Sequence, residues 1–171
     1  MKNVLFIIAI TFTSIVQCQS NIISETEYNN IKINGIKLVD IKATEGNETA
    51  LRDLVLAVIE SKIVNTDPFH PSYIYKYNGF KIGFTDNAGT PNHPGISSFI
   101  ITKNNWLITI QNKTVTIGDH ISILGNVVFN DNADGSKSIV YQYCNGCNNF
   151  IYINFNQTTN RITEIGYIEI P

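Results

Sequence analysis

The chain has 171 residues, with 12 basic and 14 acidic side chains and a formal charge of −2. It carries neither a basic run nor an acidic tail, which argues against nucleic acid or an anionic membrane as a partner. The length suits one domain with its own core, and the abundance of Ile, Asn, Tyr and Thr suits strands joined by polar turns.

Met1-Lys2-Asn3, an apolar run from Val4 to Val16 and the polar exit Gln17-Cys18-Gln19-Ser20 have the form of a secretory signal. The run is short for a bilayer span, which takes about 20 apolar residues. Val16 and Cys18 occupy the two small-residue positions of an ordinary cleavage site, so residues 1–18 are expected to leave and residues 19–171 to form the mature domain. Ile15-Val16-Gln17-Cys18 also resembles the lipobox of bacterial lipoproteins, in which Cys18 would be retained and lipidated, although Gln17 stands where that pattern wants a small residue. The expected destination is the periplasm or the exterior of a bacterium, with membrane attachment only through a lipidated Cys18.

From Ile31 to Ile41 apolar and polar residues alternate around Asn34-Gly35, as two short strands joined by a tight turn would. Asn47 can then cap a helix whose apolar stripe is Leu51, Leu54, Val55 and Val58, expected to end near Lys62. Beyond the proline-rich segment Asp67-Pro68-Phe69-His70-Pro71, Tyr73 to Tyr77 and Phe80 to Phe84 flank Asn78-Gly79 as a hairpin, and Ile96 to Thr102 supplies a third strand. Trp106 to Ile110 and Lys113 to Ile117 make another hairpin.

The same order then returns. Gly118-Asp119 opens a short helical turn through Ile121 and Leu124, stopped by Gly125; Tyr141 to Tyr143 and Phe150 to Phe155 flank Asn145-Gly146; Arg161 to Ile170 supplies the last strand. The period is roughly seventy residues. The expected fold is therefore α+β and β-rich, with two tandem units over about residues 31–103 and 104–171, each a helix followed by about three antiparallel strands. One helix leaves much of a small sheet uncovered, whereas two units side by side can share one core. With Gly-Asn or Gly-Asp before a helix and Tyr-x-Tyr before a turn, the mature chain resembles the tandem helix-plus-antiparallel-sheet proteins typified by the secreted β-lactamase inhibitor protein. Its asparagine-rich, isoleucine-rich style is similar to that of small exported proteins of Bacteroidetes. The resemblance implies a class of fold whose known members bind proteins and catalyse nothing, and it carries over no functional residue.

Cys144-Asn145-Gly146-Cys147 could be a redox centre, half of a zinc site or a staple. Asn-Gly is the preferred spacer of a two-residue hairpin turn, strand-like sequence lies on both sides, and an exported protein meets an oxidising compartment; a Cys144–Cys147 disulfide is expected. Zinc would need two more ligands, and His70, His93 and His120 are scattered over three other segments. Residues 130–136 have the alternating oxygens of a calcium loop, but Asn130 stands at the first ligand position and Tyr141 where a bidentate glutamate belongs, so a solvated turn is expected. Asp67 with His70 and Asp119 with His120 read as turn and capping pairs, no hydrolase motif occurs, and neither metal nor cofactor is expected.

Tyr73, Tyr75, Tyr77, Tyr141, Tyr143 and Tyr152 fall on hairpin strands, where residues of one parity share one face. Their rings either cover the core or, with Trp106, form a recognition surface. The leading expectation for function is a non-catalytic module that binds a protein through this tyrosine face or through the loops Asp67–Ser72 and Asp86–Gly95. A structural envelope lipoprotein and an enzyme of unidentified chemistry are the alternatives.

Overall fold

Short alternating runs build two sheets. The computed structural model describes residues 20–66, 71–87 and 90–169, and side chains outside residues 86–93. The proposed signal with Cys18, the side chains of Asp67, His70 and His93, and the middles of the two proline-containing loops lie outside the described residues. In chain order the elements are β1 (Asn21–Ile22), α1 (Glu25–Asn29), β2 (Lys32–Ile33), β3 (Ile36–Lys37), α2 (Leu38–Lys42), α3 (Glu48–Val55) and β4 (Ser61–Asn65). They continue with β5 (Ser72–Tyr77), β6 (Phe80–Asn87), β7 (Thr90–Ile101), β8 (Ile108–Ile110), β9 (Lys113–Val115) and a 3-10 turn at Ile121–Leu124. The last four are β10 (Phe129–Asp131), β11 (Lys137–Gln142), β12 (Asn149–Asn156) and β13 (Arg161–Glu169).

The large sheet runs β1-β11-β12-β13-β7-β6-β5-β4, and the small one β3-β2-β8-β9. Each half of the chain gives one hairpin to the small sheet and four consecutive antiparallel strands to the large one, β4 to β7 and β10 to β13, one more than the three expected; β1 makes the ninth. The halves meet in the middle of both sheets, β7 against β13 and β2 against β8. At the larger seam Phe99 and Tyr167 are cross-strand partners whose rings stack at 5.5 Å; such a pair adds about 1 kcal/mol beyond its buried area. The fold is α+β and β-rich.

The margins of the large sheet differ. One is β4, exposed at all five residues. At the other, β10 pairs antiparallel with the first part of β11 and β1 pairs parallel with its last two residues, so two short strands share one edge.

Three local readings of the sequence change. Asn34-Gly35 makes its turn with both φ angles positive, at 48° and 84°, but the second arm ends at Lys37 and winds into α2, which buries Leu38 and Ile41 on one face. Leu38 and Ile41, three apart, suit a helical face as well as they fit an approximate alternation. α3 stops at Val55 rather than near Lys62, because Leu56 turns left-handed (φ 52°) and Val58 is 79% exposed. The β-branched Ile63 and Val64 then extend as β4 along β5. Finally β10 was not foreseen; it is a three-residue strand held by pairing with β11.

The core lies between the two sheets, with Leu38, Ile41 and Leu51 packed into it from the helices. Tyr75, Tyr77, Trp106 and Tyr141 are all at most 4% exposed, so of the two roles expected for them, core cover or recognition surface, these four take the first. Tyr73 and Tyr143 are half-buried against the same core. The physical reason is parity with a second layer. β5 and β11 carry these tyrosines on the face that the small sheet and helices cover, and the Tyr75 hydroxyl and Trp106 indole N–H find backbone carbonyls at Gly46 and Asn78, at 2.6 and 2.8 Å. Tyr152 alone has the opposite parity, since its neighbours Ile151 and Ile153 point into the core.

Candidate functional site

The face of the large sheet that carries Tyr152 is built from side chains that alternate with the core residues. Cross-strand register places Ile74, Gly83, Ser98, Ile168 and Phe150 in one row. The neighbouring row is Lys76, Lys81, Ile100, Gly166, Tyr152 and Val140. A third holds Glu164, Asn154, Ser138 and Asn130. Ile74, Ile100 and Phe150 are half-buried and Ile168 is 36% exposed, and none of the four belongs to the core cluster, while Val140, Ser138 and Asn130 at the β10–β11 end of the same face are buried.

Two close approaches shape this face. A Cβ on Gly166 would sit 2.2 Å from Tyr152 Cζ, so the tyrosine ring lies across the bare backbone of β13. Gly83 is approached by the hydroxyls of Ser97 and Ser98, 3.1 and 3.3 Å from where its Cβ would be. Partial burial, and then the charge of Glu164, push the Tyr152 hydroxyl up to about 12. Glu164 also accepts a hydrogen bond from Asn154 Nδ2 at 3.2 Å. The face thus offers an aliphatic and aromatic middle, with lysines toward β5 and β6 and a carboxylate toward β13.

A second concavity of about 530 Å³ lies at the N-terminus of α3, where Asn47 Oδ1 accepts from Ala50 N at 3.0 Å. Pro71 and Pro94, at the described ends of the two proline-containing loops, line it with Tyr73, Lys62 and Glu48. Its charges are already paired: Glu48 accepts from Arg52 at 2.8 Å and from Lys62 at 3.2 Å, and these bonds, the Arg52 one first, hold the Glu48 carboxyl below its usual range.

Of the residues considered for chemistry, those described hold turns. His120 caps the 3-10 turn, its Nδ1 accepting from Ser122 N at 3.2 Å, and Asp119 accepts from Thr116 N at 2.9 Å. In the segment resembling a calcium loop, Asp134 takes the Ser136 amide and hydroxyl at 2.9 and 2.6 Å, and Asn132 donates to the same hydroxyl at 2.8 Å. These groups satisfy one another and close the β10–β11 turn, while Asn130 lies 7% exposed in β10. Cys144 and Cys147 form a disulfide, with Cα atoms 5.5 Å apart. It ties the end of the β11–β12 hairpin, where Gln142 Nε2 donates to the Cys147 carbonyl at 3.0 Å.

The open face was missed from the sequence although a signal was present. Residues 150–153 read Phe-Ile-Tyr-Ile and residues 99–101 read Phe-Ile-Ile. Strands apolar at consecutive positions have something to bury on both faces, whereas a strand with one solvated face alternates.

No family model matches the chain, and no curated protein matches it either. A crystal structure of a cysteine-rich secretory protein from Staphylococcus aureus subsp. aureus Mu50 superposes on it with a TM-score of 0.32 at 12% identity, covering 65% of this chain. The chain spans 38% of that protein's length. So loose a superposition assigns neither fold nor function.

Proposed function

We propose that the chain is an exported, non-catalytic binding module of the bacterial cell envelope, and that a protein partner sits on the open face of the large sheet. The observation that carries this reading is the set Ile74, Ile100, Phe150 and Ile168, apolar, half-buried or exposed, and outside the core cluster on the face opposite the core. Apolar centres rimmed by charge, here Lys76, Lys81 and Glu164, are typical of protein contact surfaces. Export is supported by the form of residues 1–20 and by a disulfide, which persists in oxidising compartments. No helix among the described residues is long and apolar enough to cross a membrane. Whether Cys18 leaves with the signal or is retained and lipidated is read from the intact mass of the exported protein.

Cross-linking of the mature chain, tagged and starting at Gln19, to an envelope extract of its source should give one dominant partner, whose direct binding is then measured with both proteins purified. Replacing Ile100 and Ile168 by serine should leave the circular dichroism spectrum unchanged and weaken binding by about thirtyfold or more, as loss of a central contact of about 2 kcal/mol does. Undiminished binding by a folded double variant would sink the assignment of this face. Tyr75 and Trp106 are unsuitable targets, because replacing core residues reports on folding.

A further inference from the structure

On the outer side of the small sheet, Lys32 and Lys37 are directly opposite each other across β2 and β3. Like charges in that position repel, and sheets usually avoid them. Neither ammonium has an ion-pair or hydrogen-bond partner among the described residues. Both line a groove of about 400 Å³ with Asn30, Thr109, Asn112 and Glu27. The one carboxylate there is already engaged: Glu27 accepts from the Ser24 amide at 2.9 Å, the Ser24 hydroxyl at 2.8 Å and Gln111 Nε2 at 3.1 Å.

The rim of the groove is the turn between β8 and β9, where Gln111 and Asn112 both take positive φ, 49° and 63°. Glycine would relieve that turn, yet two amide side chains stand there and line the groove instead. A second facing lysine pair shows what a self-sufficient arrangement looks like. Lys76 and Lys81 also oppose each other, and there two carboxylates, Glu60 and Glu164, line the same groove. The Lys32–Lys37 groove holds one carboxylate, Glu27, and its hydrogen bonds go to Ser24 and Gln111 rather than to either lysine.

We propose that the Lys32–Lys37 groove binds an oxyanion, the phosphate or sulfate group of an ester, with Lys32 and Lys37 supplying charge and Asn30 and Asn112 supplying amide donors. Two ammonium groups give an anion charge-assisted hydrogen bonds, and binding relieves their mutual repulsion.

Titration of the mature chain with inorganic phosphate, at ionic strength held constant with sodium chloride and read by amide NMR, tests the site. Saturable shifts are expected at Lys32, Lys37 and Asn112. Lys32→Gln and Lys37→Gln should each weaken the apparent affinity about tenfold, whereas the double variant Lys76→Gln and Lys81→Gln should leave it unchanged. Without phosphate, the Lys32→Gln and Lys37→Gln proteins should melt at a higher temperature than the parent, which lysines with a merely structural role would not produce. Uniform, unsaturable shifts, or equal affinity in the parent and both site variants, would overturn the proposal. Sedimentation with vesicles of phosphatidylglycerol against phosphatidylcholine separates the sources: binding that needs both lysines assigns a lipid phosphate, and phosphate binding without vesicle binding assigns a soluble ester.

Discussion

Tyr152 and Gly166 form a cross-strand pair in which one residue has no side chain and the other covers for it. Such a ring over a glycine stabilises a sheet that would otherwise expose bare backbone. Gly166→Ala puts a methyl where the ring is, but the atoms it meets are the far end of the tyrosine, which can swing toward solvent. The expected cost is about 1 kcal/mol in a urea melt, with the fold kept. The core tyrosines behave differently. Burial pushes the hydroxyls of Tyr77 and Tyr141 from 10.0 up to about 12, because the phenolate cannot be solvated there. In the unfolded chain these groups ionise near their ordinary value. Their contribution to stability is therefore complete below pH 10 and is lost as pH rises toward 12. Urea midpoints should fall between about pH 10 and about pH 12, with tyrosinate absorbance appearing together with unfolding. Tyrosinate formed before unfolding would show that these rings meet water.

Among the elements, the β11–β12 hairpin is closed by a covalent bond as well as by its ladder. A loop as short as Cys144 to Cys147 restricts the unfolded chain modestly, so reduction should cost about 2 kcal/mol and leave the sheet assembled; the check is a denaturant melt with and without reductant. Turn chemistry of this kind was legible from the sequence, because Asn-Gly or a Cys pair acts within a few residues. The turns at Asn34-Gly35 and Asn78-Gly79 join paired strands as expected, the first with shorter arms, whereas Asn145-Gly146 lies within a wider connection over residues 143–148 between β11 and β12. α1 carried an equally local signal that went unused: Ser24 and Glu27 cap its first turn reciprocally. The end of α3 and the face taken by the tyrosines were not legible. Parity says that Tyr75 and Tyr77 share a side, but not which side; that depends on where the small sheet packs, through contacts between residues as distant as Ile33 and Ile108. The candidate face was legible only in part: consecutive apolar residues at 150–153 and 99–101 mark strands with apolar side chains on both faces, but not which face meets the small sheet.

For the whole molecule, the two halves are joined twice, at β7 with β13 and at β2 with β8. Neither half keeps its apolar surface to itself: Phe99 stacks on Tyr167 across the seam. The core is one cluster spanning both halves. The margins of the large sheet have a consequence for association. Among the described residues no further strand joins β4 on its outer side, and Ile63 and Val64 there are each nearly half exposed, while the opposite margin ends in strands of two and three residues that present little ladder to a newcomer. A building block with two adhesive ends can grow into a filament, but one with a single adhesive end exhausts it at the first encounter. Edge-to-edge contact between copies of this chain would thus terminate at pairs, and concentration alone would not carry it to fibres.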